Sequence, residues 1–148
     1  MRSYSVLMLF LLLGACVSAQ KAAPATEAVA KTFATLPNYA QLYIVRPSSF
    51  GLGVMYQVTI DGRIVGSLPA ETFLVQQLER GSHVVSFFNN TSQETTAVEV
   101  ELGHNYYLRV GMSPTATSNR ARLKLVSEDE GQKLIRTNSM VQSTQFSK

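Results

Sequence analysis

Cysteine is all but missing from this chain. One occurs, Cys16, among 148 residues, and a single thiol cannot close a disulfide within the molecule. The fold must be held by its apolar core, which roughly 100 ordered residues can do with little surplus. Histidine is nearly as scarce, with His83 and His104 the only two. Zinc normally takes three or four protein ligands, and no H-E-x-x-H spacing occurs, so neither a metal nor a cofactor is expected. The G-x-S-x-G elbow of serine hydrolases is missing as well. Gly51-Leu52-Gly53 is only a fragment of a dinucleotide fingerprint, and it leads towards a strand rather than a helix. Together these absences argue against an enzyme. Charged residues make up 16% of the chain and leave a net charge of +3, too weak a field to argue for nucleic acid. No apolar run approaches the roughly 20 residues that a bilayer-spanning helix needs.

The residues that are present begin with an address. Residues 1–5 carry Arg2 and the terminal amine, residues 6–13 are eight consecutive apolar residues, and Gly14 and Ala15 are small. That order of charged, apolar and small is the order of an export signal. Two cleavage patterns then overlap. Leu13-Gly14-Ala15-Cys16 resembles the bacterial lipobox: a large aliphatic residue, two small ones, then cysteine. The resemblance implies a signal peptide over residues 1–15, a Cys16 thiol linked to diacylglycerol, and an acylated new amine. It also gives the odd cysteine of an exported chain its account. Val17-Ser18-Ala19 fits instead the small-x-small pattern of ordinary signal peptidase, which would release a soluble chain from Gln20. In Gram-negative lipoproteins an Asp after the cysteine is the usual inner-membrane retention signal. Val17 stands there, which implies sorting to the outer membrane with the domain facing the periplasm.

Residues 16–39 read as a lipid-anchored tether, rich in Ala and Thr, with a short helix expected over 26–36. Val29, Phe33 and Leu36 would form its apolar stripe. From residue 40 the period changes to two. "QLYIVR" (41–46), "MYQVTIDGRIVGSL" (55–68), "ETFLVQQL" (71–78), "SHVVSFF" (82–88), "TTAVEVEL" (95–102), "NYYLRV" (105–110) and "RARLKLV" (120–126) all have strand character. Asp61-Gly62 divides the second into a hairpin, since a two-residue D-G turn suits positive φ at both positions. In the fifth, Val98, Val100 and Leu102 are expected inward and Glu99 and Glu101 outward. Ser127 should cap a short helix, "EDEGQKLI", whose acidic first turn favours the helix dipole. The last eleven residues, "NSMVQSTQFSK" (138–148), show no period and read as a loose tail. The expected fold is mainly β: a small antiparallel β-sandwich over 40–137 with a short N-terminal and a short C-terminal helix.

The strings "LYIVR", "VTIDGRIVGSLP", "FLVQQLERGSHVVSF", "LGHNYYLRVG" and "LKLVSEDEGQKLI" resemble the DUF2846 family of small bacterial envelope proteins, over about residues 40–135. The D-G-x-x-x-G-x-L-P … G-x-H segment is also similar to the PEGA-type modules of bacterial surface proteins. Both resemblances imply a transthyretin-like β-sandwich, often on a lipoprotein. They imply no catalytic residues.

Three features remain as candidate binding chemistry. Arg120, Arg122 and Lys124 alternate with Ala121, Leu123 and Leu125, so three positive charges share one strand face, with Arg109 on a neighbouring strand. Such a face suits phosphate or carboxylate groups of lipid A, peptidoglycan or an envelope protein. A solvated outer face with edge-protecting charge is the plainer reading. Tyr106 and Tyr107 must point to opposite faces of their strand, one filling the core and one exposed. His83 and His104 are candidates to share a site with an acid such as Asp61. The sequence as a whole reads as a non-enzymatic, lipid-anchored binding or structural module. The rival is a soluble periplasmic ligand-binding, inhibitor or immunity-type protein.

Overall fold

The computed structural model describes residues 19–47, 53–90, 92–112 and 121–145. Cys16 and Arg120, together with the lipobox and signal peptide, lie outside the described residues. The elements run α1 (Pro24–Ala30), β1 (Ala40–Arg46), β2 (Tyr56–Ile60), β3 (Arg63–Leu68), β4 (Thr72–Leu78) and β5 (Gly81–Phe88). They continue with β6 (Gln93–Val100), β7 (Asn105–Met112), β8 (Ala121–Val126), α2 (Glu128–Arg136) and β9 (Ser139–Met140).

The strands form a five-stranded sheet in the order β8-β7-β1-β4-β9 and a four-stranded sheet in the order β3-β2-β5-β6. This is the expected sandwich, with one difference. β1 pairs in parallel with β7, and β4 with β9, so the larger sheet is mixed rather than antiparallel. The chain leaves β4 for the smaller sheet and re-enters beside β1, and such an excursion allows either direction.

Two apolar layers hold the molecule together. Leu42 and Ile44 of β1, Leu74 and Leu78 of β4, and Leu108 and Val110 of β7 face Tyr56, Val58, Ile60, Val85, Phe87 and Val98 of the smaller sheet. On the opposite face of the larger sheet, Tyr43, Val45, Phe73, Val75 and Tyr107 lie under Phe33, Ile135 and Met140. β1 is therefore buried on both faces, which explains its unbroken "LYIV" run; a half-solvated strand would alternate. Tyr106 and Tyr107 follow the same logic. Tyr107 is buried beneath the helical layer and Tyr106 packs partly against the inter-sheet core, so neither ring is the exposed one expected.

The N-terminal segment differs from the expected tether and helix. Pro24, whose φ is fixed in the helical range, starts α1 two residues early. The helix ends at Ala30, and Phe33 turns the chain at φ 57°. Val29 is consequently 69% exposed, whereas Phe33 is buried against Tyr43 and Tyr107. The Phe33 and Ala34 carbonyls accept hydrogen bonds from Asn105 Nδ2 and Gln41 Nε2, which fix that turn to the sheet. Before the helix, Lys21 bridges Val141, and the Ala22 amide donates to the Met140 carbonyl. Residues 19–39 are thus part of the fold.

The expected loose tail is likewise corrected for residues 138–145. Asn138, Met140 and Val141 are buried. The Val141 amide donates to the Phe73 carbonyl, Ser143 Oγ to the Val75 carbonyl, and the Thr144 amide to the Val65 carbonyl. The segment closes the gap between β4 and β3, a task for backbone groups that needs no apolar period. Two smaller differences concern leucines. Leu102 lies in the β6–β7 turn, and Leu125 sits near the end of an edge strand; both are exposed.

Candidate functional site

At the corner where β2 turns into β3, Asp61 and Gly62 take φ 52° and 78°, the pair of positive values that a D-G hairpin turn requires. The Asp61 carboxylate accepts the Val84 amide at 2.9 Å through Oδ1 and contacts His83 Nδ1 at 2.7 Å through Oδ2. His83 Nε2 lies 2.9 Å from the Glu79 carbonyl oxygen. An ionised carboxylate and a carbonyl only accept, so both bonds together require the imidazolium form. Burial opposes that charge, but the Asp61 and Glu79 partners outweigh it and hold the His83 pKa above its ordinary value. For Asp61, burial pushes the other way; the His83 and Val84 bonds prevail and keep its pKa low. His83 and Asp61 do meet, as the sequence allowed. Both imidazole nitrogens are occupied, so the pair is built as a latch between the turn and β5. His104 does not join it; its carbonyl accepts the Gln41 amide and its side chain is exposed.

The second place is the outer face of the larger sheet beyond α2. Arg109 stands opposite Lys124, and Gly111 opposite Arg122, in the β7–β8 register. Directly paired residues point to the same side, so Arg109, Arg122 and Lys124 share the side of Tyr107 and Val126. Arg109 Nη1 approaches Glu130 Oε1 of α2 at 3.4 Å, an exposed and weakly held pair. Arg122 and Lys124 make no ion pair among the described residues and are exposed. Like charges directly opposite across two strands repel. The Gly111 position opens the sheet surface beside them, since a Cβ there would meet only the Arg122 carbonyl oxygen at 3.9 Å. Of the expected basic set, the structure brings these three together.

Other polar groups escaped the sequence reading. Arg46 is wholly buried, donates to the Val54 carbonyl at 2.8 Å and the Leu68 carbonyl at 3.2 Å, and lies 5.1 Å from the Tyr56 ring centroid. Gln76 is buried between the sheets, its amide without a hydrogen-bond partner among the described residues. The signal was there in both strands: Leu42, Ile44 and Arg46, and Leu74, Gln76 and Leu78, keep the inward phase of period two. An open concavity of about 600 Å³, lined in part by Val54, Met55, Gln57, Phe88 and Asn90, lies at the opposite end of the smaller sheet from His83. Among the described residues its lining carries no ionisable side chain. Among the described residues no three acids, histidines or cysteines are placed to hold a metal ion, and no helix is long and apolar enough to cross a membrane.

An uncharacterised protein of Haemophilus influenzae is 29% identical over 140 residues, covering 94% of this chain and 83% of the relative. Residues 37–121 match the family described as "Protein of unknown function (DUF2846)". That span runs from the loop before β1 to the first residue of β8; it contains the Asp61–His83 latch and Arg109 but stops short of Arg122 and Lys124. More than half the chain lies within the match, and the protein belongs to the DUF2846 family.

Proposed function

We propose that this chain is an exported, lipid-anchored protein of the bacterial cell envelope, whose β-sandwich is a non-enzymatic binding or structural module on the periplasmic side of the outer membrane. One observation carries the reading: Leu13-Gly14-Ala15-Cys16 directly follows an apolar run in a chain with no other cysteine. The engaged state of His83 supports the non-enzymatic part, because neither ring nitrogen is left to move a substrate proton. The binding surface is the basic face of Arg109, Arg122 and Lys124, with Arg120 adjacent in sequence. Arg109 and Lys124 stand directly opposite each other, Arg122 lies two residues along the same strand face, and among the described residues the one ion pair of these three is the weak Arg109–Glu130 contact, so an anionic group there would relieve their repulsion. Phosphate and carboxylate groups of lipid A, peptidoglycan or a partner protein have that chemistry.

Intact-mass spectrometry of the protein extracted from membranes tests the anchor. The expected species starts at Cys16 and carries a diacylglyceryl group and a third acyl chain, enough for firm anchoring where one chain is not. An unmodified chain starting at Gln20 overturns it in favour of a soluble periplasmic protein. That second reading has its own support, because the sheet contacts of the N-terminal segment begin at the Gln20 carbonyl and would survive the cut.

A further inference from the structure

The contacts of residues 19–22 fix where a lipid anchor would leave the domain. Ala19 packs against the inter-sheet core, the Gln20 carbonyl accepts the Gln142 amide, and Lys21 bridges Val141. Three peptide steps separate Cys16 from Ala19, a span of at most about 11 Å. A domain of about 100 residues has a radius of gyration near 13 Å, hence a radius of about 17 Å. The link is shorter than the body it holds. A lipidated chain therefore cannot turn freely above the bilayer, and the edge around Ala19 must stay against it.

That edge is made of residues 19–23, residues 63–66 of β3, residues 74–77 of β4 and the closing segment 139–145. None of the ten acidic residues of the chain falls within these stretches. The Glu27 carboxylate is engaged by Lys31 Nζ and the Met140 amide. The edge presents Gln20, Gln77, Gln142, Thr144 and Gln145, the cations Lys21 and Arg63, and Ile64 with 57% of its surface exposed. Amides, two positive charges and one apolar side chain suit the phosphate level of a bilayer, and the carboxylates beside the two cations, Glu27 and Asp61, are each held by another partner, Lys31 and His83.

We propose that this edge, running along β3 and the 139–145 segment, lies directly on phospholipid headgroups and sets the orientation of the domain on the membrane. The inference rests on lipidation at Cys16. With Cys16 blocked by lipid, a cysteine introduced elsewhere is the only free thiol, so the test uses the full lipidated protein labelled with a fluorophore through Gln142→Cys or, on the far strand β6, Glu94→Cys. Each is reconstituted into vesicles of phosphatidylethanolamine and phosphatidylglycerol containing headgroup-linked nitroxide lipid. Quenching should be several-fold stronger at position 142 than at position 94. A twenty-residue Gly/Ser spacer between Ser18 and Ala19, about 25 Å in r.m.s. length, should abolish the difference. Flotation with the vesicles but equal quenching at the two positions overturns the orientation and leaves the anchor standing. Failure to float, with a mass lacking acyl chains, overturns both. Shielding at position 142 that persists in detergent without vesicles identifies a second copy as the occupant and overturns the membrane contact.

Discussion

Asp61 holds the first hairpin through both its backbone and its carboxylate, and the two contributions can be separated by substitution. At Gly62, φ is 78° and open space surrounds the position, so only backbone strain opposes a side chain. Gly62→Val should cost about 1–3 kcal/mol, read as a lowered midpoint in urea at unchanged slope. An unchanged midpoint would mean the turn relaxes without loss. The carboxylate half responds to pH. The His83 pKa is raised in the fold, so its share of stability is complete below the ordinary value of 6.5 and fades as pH rises through the folded value. The Asp61 pKa is lowered, so its share is present above 3.8 and fades as pH falls through the folded value. Between those limits the latch is whole. The stability gap between the wild type and His83→Gln should be at most about 1 kcal/mol, since the pair is partly solvated, and should shrink as pH is raised from 6 to 9. A gap that widens with pH would contradict the imidazolium assignment.

α2 shows how an element can be legible in sequence while its fit is not. Ser127, accepting the Glu130 amide, and the acidic first turn mark its start, and Lys133 and Arg136 its end. Gly131 in the middle has no reason that the helix itself supplies. Its reason is the Tyr107 ring of β7, which a Cβ at 131 would overlap. In a free helix Ala would gain about 1 kcal/mol over Gly. Here overpacking of about 1–3 kcal/mol opposes that gain, so Gly131→Ala should lower the thermal midpoint and alter the near-ultraviolet tyrosine signal; a raised midpoint would show that α2 lifts freely. The same divide runs through the molecule. Strands declared themselves where one face is apolar, as at Val98 and Val100, and the D-G turn declared itself through its conformational demand. The closing segment 139–145 could not, because its role is to offer the Val141 and Thr144 amides to the carbonyls of Phe73 and Val65. Nor could the basic face be placed fully, since Leu125 is inward in period but lies where no second sheet covers it. Deleting residues 139–148 removes Met140 and Val141, worth about 1.5–3 kcal/mol each. The shortened domain should lose a large part of a total stability of about 5–15 kcal/mol, seen as rapid cleavage in pulse proteolysis. Full protease resistance would return the segment to the status of a tail.

At the scale of the whole molecule, three layers stack in order: the smaller sheet, the larger sheet, and α1, Phe33 and α2. β1 lies in the middle of the larger sheet, with β7 and β4 on either side, so the centre is completed only by strands far along the chain. Its N-terminal edge waits longer still, for Val141 to reach Lys21. Contacts between residues so distant in sequence slow folding, because the loop they close must first be gathered. This carries a consequence for synthesis and transport. A chain delivered N-terminus first, from a ribosome or through a membrane pore, brings Met140, Val141 and Gln142 to residues 20–22 only after β1–β8 have emerged. Until then the gap between β4 and β3 stays open. Residues 139–145 act as a clasp, so the moment of closure is set by their arrival.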